Sequence, residues 1–125
     1  MEKKKVYLSG PISGFFLEER INTFKGISYL VQMLGHQPVN PFDNGLPTGA
    51  AYKDHMKADI KMLLDCDAIL MLLDWQQSAG AQLELRVAMA CGLELLQVEI
   101  DLDTDKYSVN QLNDITALNF LRGEL

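Results

Sequence analysis

Short β-prone runs alternate with longer amphipathic segments along the whole chain. Lys5–Ser9 and His36–Asn40 each precede a Gly-Pro or Asn-Pro stop, and Leu95–Ile100 is a third run of this kind. The run Asp67–Leu73 is almost continuously apolar, which is typical of a strand buried on both faces. The pattern therefore predicts four strands, with Asp67–Leu73 as the central one.

Between these runs, apolar residues recur every three or four positions, the period of an amphipathic helix. The spacing predicts helices over 21–34, 51–64 and 80–91, and a closing helix that carries apolar positions from Val109 to Leu121. A fifth strand near Tyr107 is compatible with the pattern. Strands that alternate with helices favour right-handed crossovers. We expect an α/β fold: a doubly wound, flavodoxin-like or Rossmann-like parallel sheet of four to five strands with helices on both faces.

Length and charge narrow the possible functions. A chain of 125 residues suits one domain, which we place at 1–125. The net charge is −6 and the only basic run is Lys3–Lys5, so we expect no nucleic-acid polymer as partner. The sequence contains no apolar stretch of the length that a secretory signal or a membrane span needs, which predicts a cytoplasmic protein without a membrane partner.

The sequence offers little support for a metal site. Cys66 and Cys91 lack the paired spacing of a zinc site and the density of a disulfide scaffold, so both are expected to be reduced. No HxxxH, Walker or CxxC pattern occurs. His55 stands between Lys53 and Lys57 on a predicted helix, which is typical of solvated surface, and we assign it no role.

Three loops should carry the ligand site, because ligands of open α/β sheets bind beyond the carboxyl ends of the strands. These loops are 9–14, 40–43 and 74–80, and polar groups are concentrated in all three. The candidate binding residues in them are Ser9, Gly10, Pro11, Ser13, Asn40, Trp75, Ser78 and Gly80.

Each candidate also has an ordinary structural interpretation, and both stay open at this point. Loop 9–14 is either a phosphate or sugar cradle or a simple strand-to-helix turn. Ser78 either caps the helix that follows or binds an anion there, and Trp75 either stacks on a flat ring or closes the core. Glu84 is either a carboxylate near a helix start, favoured by the helix dipole, or a reacting group. Asp59 is either an ordinary solvated helix residue or a reacting group.

Three motifs resemble those of the nucleoside 2-deoxyribosyltransferase family, which includes deoxynucleoside 5′-monophosphate N-glycosidases. They are VYLSGPI from Val6, DI followed by CDAI from Asp59, and SAGAQLEL from Ser78, and they occur in the family's order between Val6 and Gly92. The form SGPISG of the first loop is closer to uncharacterised bacterial and phage relatives. Pro11 and Ser13 stand where the monophosphate hydrolases carry further Ser and Arg ligands.

The resemblance implies a role for each motif. It places the nucleophile at Glu84, a contact to the base or its protonation at Asp59, and orientation of the nucleophile at Tyr7. Ser78 matches the phosphate contact of the monophosphate branch and therefore favours a nucleotide. A carboxylate nucleophile with a second acid suits cleavage of a glycosidic bond, by hydrolysis or by transfer, without a metal or organic cofactor.

The resemblance also implies a small-molecule nucleoside or nucleotide as the ligand and a homo-oligomer, a dimer or larger, as the assembly. A non-catalytic nucleotide-binding or sensor module of the same fold is the alternative.

Overall fold

A five-stranded sheet forms the centre of the computed structural model, which describes residues 2–123. In chain order the elements are β1 (Lys5–Ser9), α1 (Leu17–Met33), β2 (Gln37–Val39), α2 (Tyr52–Leu64), β3 (Ala68–Met71), α3 (Ala79–Ala90), β4 (Glu94–Asp101), β5 (Lys106–Gln111) and α4 (Asp114–Leu121). Single turns of 3-10 helix lie at Pro41–Asp43 and Trp75–Gln77.

The sheet has the strand order β2-β1-β3-β4-β5, and its first four strands are parallel. Tyr7 pairs with Ile69 and Ser9 with Met71, so the ends of β1 and β3 reach the same edge. Helices cover both faces, and all four residues of β3 are buried. The predicted α/β class and the predicted central strand are confirmed. The sheet is mostly parallel, because β5 runs antiparallel to β4.

The last part of the described chain corrects one prediction and confirms another. The strand allowed near Tyr107 exists, but the closing helix does not extend back to Val109, which pairs with Val98 inside the β4–β5 hairpin. The helix begins only after Asn113, whose side chain accepts hydrogen bonds from two backbone N–H groups of the first turn, at 2.9 and 3.2 Å. Val109 therefore belongs to a strand face and not to a helix stripe.

Side chains of β1 alternate between two hydrophobic clusters, one on each face of the sheet. Val6 and Leu8 pack with Phe24 on the face covered by α1, whereas Tyr7 packs with Leu85 on the face covered by α2, α3 and α4. Successive side chains of a strand point to opposite faces, so Ser9 shares the face of Tyr7. The polar groups at the end of β1 therefore face α3.

Candidate active site

Glu84 is a carboxyl group buried between α3 and β1. The residue as a whole is 6% exposed to solvent. The Tyr7 hydroxyl donates a hydrogen bond to Oε2 at 2.6 Å, and the Ser9 hydroxyl donates to Oε1 at 2.7 Å. Each oxygen of Glu84 is therefore held by a hydroxyl of β1.

The local sequence explains why these groups meet. Tyr7 and Ser9 are two residues apart on one strand, so their side chains leave the same face. After β3 the chain makes one 3-10 turn, and Ser78 begins α3 by accepting a hydrogen bond from the Ala81 N–H at 3.1 Å. Helical spacing then places Glu84 in the buried stripe of α3 beside Ala81 and Leu85.

Burial dominates the protonation behaviour of this group. The pKa of Glu84 is raised to about 7: burial is the main cause, the hydrogen bonds from Tyr7 and Ser9 lower the pKa, and the charge of Asp59 raises it. Burial, together with the nearby carboxylates, also raises the pKa of Tyr7 well above its ordinary value. Tyr7 therefore keeps its proton and acts as a hydrogen-bond donor to Glu84.

Asp59 supplies a second buried carboxyl group, from α2. The residue is 7% exposed, and the Asn44 side-chain amide donates to its Oδ1 at 2.8 Å. Burial raises the pKa of Asp59, while the bond from Asn44 and the neighbouring His55 lower it. The charge of Asp59 raises the pKa values of both Glu84 and Tyr7. The protonation of these three groups is therefore linked.

The backbone is closely packed where the first loop follows β1. A Cβ at Gly10 would lie 2.9 Å from the Leu72 Cβ, which is too close for any side chain, so glycine is needed there for packing. Pro11 is buried, and its carbonyl accepts a hydrogen bond at 2.7 Å from Nε of the buried Arg20. Ser13 lies beyond this point and is exposed. The structure therefore anchors the start of the loop and leaves its tip open to solvent.

Two further candidates have structural roles that limit what they can contact. Asn40 accepts a hydrogen bond from the Phe42 N–H at 3.0 Å and so begins the 3-10 turn at Pro41–Asp43. Trp75 is 5% exposed and packs edge to face on Phe120, with ring centroids 5.0 Å apart. Of its two interpretations, the structure supports the core contact, because the ring is enclosed by α4.

Ser78, at the N-terminus of α3, can still donate a hydrogen bond. Ser78 uses its oxygen as an acceptor, so its hydroxyl hydrogen remains able to reach a ligand. A Cβ at Gly80 would lie 3.2 Å from the Tyr52 hydroxyl and 3.9 Å from the Ser78 Oγ. The absence of a side chain at Gly80 therefore lets the Tyr52 phenol approach the start of α3.

Sequence reasoning missed Asn44, His55 and Tyr52. Asn44 contacts His55 Nδ1 at 2.9 Å as well as Asp59, and Tyr52 begins α2 beside Gly80. His55 and Asp59 are four residues apart on α2, which places them on one helix face. That spacing was the available signal; nothing in the sequence indicates that a loop amide joins them.

The described residues contain acid–base groups but no cluster suited to a metal. Within 2–123, no group of three or more His, Cys, Asp or Glu side chains could hold a metal ion. Over the same range, no helix is both long and apolar enough to span a bilayer. What the site offers is two carboxyl groups in different surroundings, an arrangement suited to pairing a nucleophile with an acid.

The fold matches solved structures of two 2-deoxyribosyltransferases and of one conserved protein. A 2-deoxyribosyltransferase from Leishmania mexicana superposes with a TM-score of 0.59 at 20% identity, covering 98% of this chain and 99% of its own. One from Bacillus psychrosaccharolyticus gives 0.58 at 24%, covering 73% and 69%. A conserved protein from Enterococcus faecalis V583 gives 0.58 at 23%, covering 97% and 76%. The likeness predicted from the three motifs is confirmed at the level of the fold.

Sequence comparison assigns the family directly. No curated protein matches the chain. A family model described as a domain of unknown function, DUF4406, matches residues 4–97. This range contains all three sequence motifs, the two carboxyl groups Glu84 and Asp59, and the side chains that bond to them. The chain belongs to the DUF4406 family.

Proposed function

We propose that this protein cleaves the N-glycosidic bond of a nucleoside or nucleoside 5′-monophosphate, with Glu84 as the nucleophile. The observation that carries the proposal is the buried Glu84 carboxylate, held on both oxygens by Tyr7 and Ser9 and electrostatically coupled to Asp59. The fold shared with two 2-deoxyribosyltransferases supports it.

In the first step, an oxygen of ionised Glu84 attacks the anomeric carbon of the sugar. A carbon–oxygen bond forms while the bond from that carbon to the base nitrogen breaks, and the electron pair leaves with the base. Asp59 in its neutral form gives the base a proton. Tyr7 and Ser9 keep Glu84 oriented, and because both donate to it, they favour the ionised form that attacks.

In the second step, an acceptor attacks the same carbon and releases Glu84. With water as acceptor the product is the free sugar, and with a second base it is a new nucleoside. In both cases ionised Asp59 takes up the proton that the acceptor loses. The acceptor therefore decides between hydrolase and transferase. For a 5′-phosphate, Ser78 is the proposed donor, through the hydroxyl hydrogen that its capping bond leaves free.

The substrate class can be tested with a panel of deoxynucleosides, ribonucleosides and their monophosphates, each with and without an acceptor base. We expect release or exchange of the base, measured by chromatography, and a loss of at least about 1000-fold in Glu84→Ala. Glu99→Gln, which changes an exposed carboxylate on β4, is the matched control.

Two outcomes would contradict the proposal. Full base release by Glu84→Ala would show that another group performs the chemistry. Tight binding of a nucleotide without product, across the whole panel and with NAD, would favour the non-catalytic nucleotide-binding module. We further propose that the protein is a cytoplasmic homo-oligomer built from a single domain; sedimentation measures the assembly directly.

A further inference from the structure

Asn44 makes more contacts than a loop amide needs to form its turn. Its Oδ1 accepts a hydrogen bond from the Leu46 N–H at 3.0 Å. This bond fixes which end of the amide faces α2, so the amide nitrogen points to Asp59 Oδ1 at 2.8 Å and to His55 Nδ1 at 2.9 Å. The group therefore uses both of its hydrogens and one oxygen lone pair.

The contact with His55 gives the Asn44 amide nitrogen a second partner on α2. Because an amide NH₂ group can only donate, Nδ1 of His55 is the acceptor of this bond. Asn44 therefore bonds to two side chains of the same helix.

The contact with Asp59 decides which of its oxygens can hold an acid proton. Because Oδ1 accepts from Asn44, the proton of the neutral carboxyl group is directed to Oδ2. Among residues 2–123, no hydrogen-bond donor reaches Oδ2. In the neutral form of Asp59 the proton therefore lies on the oxygen that Asn44 does not bind.

We propose that Asn44 is the positioning residue for the acid of this site: it orients Asp59 and, through its second bond to His55 on the same helix, ties α2 to the loop at 44–51. The inference rests on the proposed function, in which Asp59 protonates the leaving base. It assigns a task to a residue outside the three sequence motifs.

A first test measures Asp59 itself, without substrate, by NMR titration of the labelled carboxyl carbon. The charged groups that act on Asp59, or that it acts on, are His55 on α2, Glu84 on α3 and Tyr7 on β1, and all stay in place. We expect the pKa of Asp59 to move upward in Asn44→Ala, because a bond to its ionised form is lost.

Two variants sharpen this titration. Asn44→Asp keeps the acceptor for the Leu46 N–H while removing the donor, so it preserves the turn and should also move the Asp59 pKa upward. Asn113→Asp makes the same chemical change at the cap of α4, where either residue accepts equally well. It should leave the Asp59 titration unchanged. An unchanged pKa in both Asn44 variants overturns the proposal.

A second test separates positioning of the acid from a general structural effect. We expect kcat for an unactivated nucleoside to fall about 10- to 100-fold in Asn44→Ala, with a smaller change in KM. A 4-nitrophenyl deoxyriboside, whose leaving group needs no proton, should lose less than about threefold. Equal losses on the two substrates would overturn the proposal. If the wild-type protein releases no base at all, the proposed function fails, while the titration still decides the role of Asn44.

Discussion

The two carboxyl groups of the site are held by different kinds of structure. Glu84 receives both of its hydrogen bonds from a buried strand, through Tyr7 and Ser9. Asp59 receives its bond from Asn44, in a loop before α2. Strand pairing fixes the first pair of donors against β3, whereas the second depends on one loop amide. The difference teaches that Glu84, the proposed nucleophile, belongs to the part of the fold held by the sheet, the rigid side, and that Asp59, the proposed acid, belongs to the part held by a loop, the adjustable side.

The largest expected effect comes from removing the carboxyl group of Asp59 while Glu84 stays in place. Asp59→Asn should lower base release from an unactivated nucleoside about 1000-fold, because a neutral amide cannot donate the acid proton. A 4-nitrophenyl deoxyriboside should be affected far less. The ratio of the two rates, measured for wild type and variant, reports this directly. A ratio unchanged by the substitution would mean that Asp59 does not protonate the leaving group.

The buried carboxyl group of Glu84, on the rigid side, should make the free energy of unfolding depend on pH. The pKa of Glu84 rises from 4.5 to about 7 on burial, so the folded protein binds this proton more tightly than the unfolded chain. Stability is therefore lost as pH rises from 4.5 through 7, and at pH 8 the buried charge costs about 3 kcal/mol. Glu84→Gln removes that charge and should be more stable than wild type by about this amount at pH 8.

Chemical denaturation at pH 8 and at pH 4.5 checks this prediction. The gain should nearly vanish at pH 4.5, where Glu84 is largely protonated in the folded protein. Glu99→Gln, on an exposed position, should change the free energy of unfolding by less than about 0.5 kcal/mol at either pH. A gain at pH 4.5 equal to that at pH 8 would show that charge burial is not its cause.

Alanine substitutions at two glycines test how tightly the chain packs at two places near the site. Gly10 follows β1, and Gly80 lies where α3 meets Tyr52 of α2. In Gly10→Ala the new methyl would lie 2.9 Å from the Cβ of Leu72, a buried residue directly after β3 whose backbone N–H is bonded to Ser9, and we expect a loss of about 2 kcal/mol. In Gly80→Ala it would lie 3.2 Å from the hydroxyl of Tyr52, an exposed side chain that can move. The expected change is below about 1 kcal/mol, since alanine also favours the helix. Thermal unfolding of both variants measures the difference; equal losses would contradict it.

The sequence predicted most of the rigid side because its signals are local. A short apolar run marks β3. The role of Tyr7 beside Glu84 came from the family resemblance, whereas Ser9 was predicted only as a binding residue of the first loop. Glu84 follows from helical spacing after Ser78, together with the resemblance of the motif. The fold class depends only on the alternation of such segments, so it could be predicted from one chain.

The rest depended on contacts that no spacing encodes. Asn44 and His55 lie on different elements, and only the path of the loop brings them together. Val109 and Leu112 are three residues apart, which fits a helix as well as a hairpin strand followed by a buried residue. The cap at Asn113 was the signal that would have moved the helix start. Trp75 suited both a stacking and a core role, and only the position of Phe120 decides between them.

The central claim is that Glu84 forms a covalent bond with the sugar, and mass spectrometry can observe it. A 2′-fluoro-arabinonucleoside is a suitable probe, because the fluorine slows release of the glycosyl group from a carboxylate. We predict loss of the base and a protein heavier by one fluorosugar, with the added mass on the peptide that contains Glu84 and absent from Glu84→Ala. Base release without any adduct, or an adduct that persists in Glu84→Ala, would contradict the account.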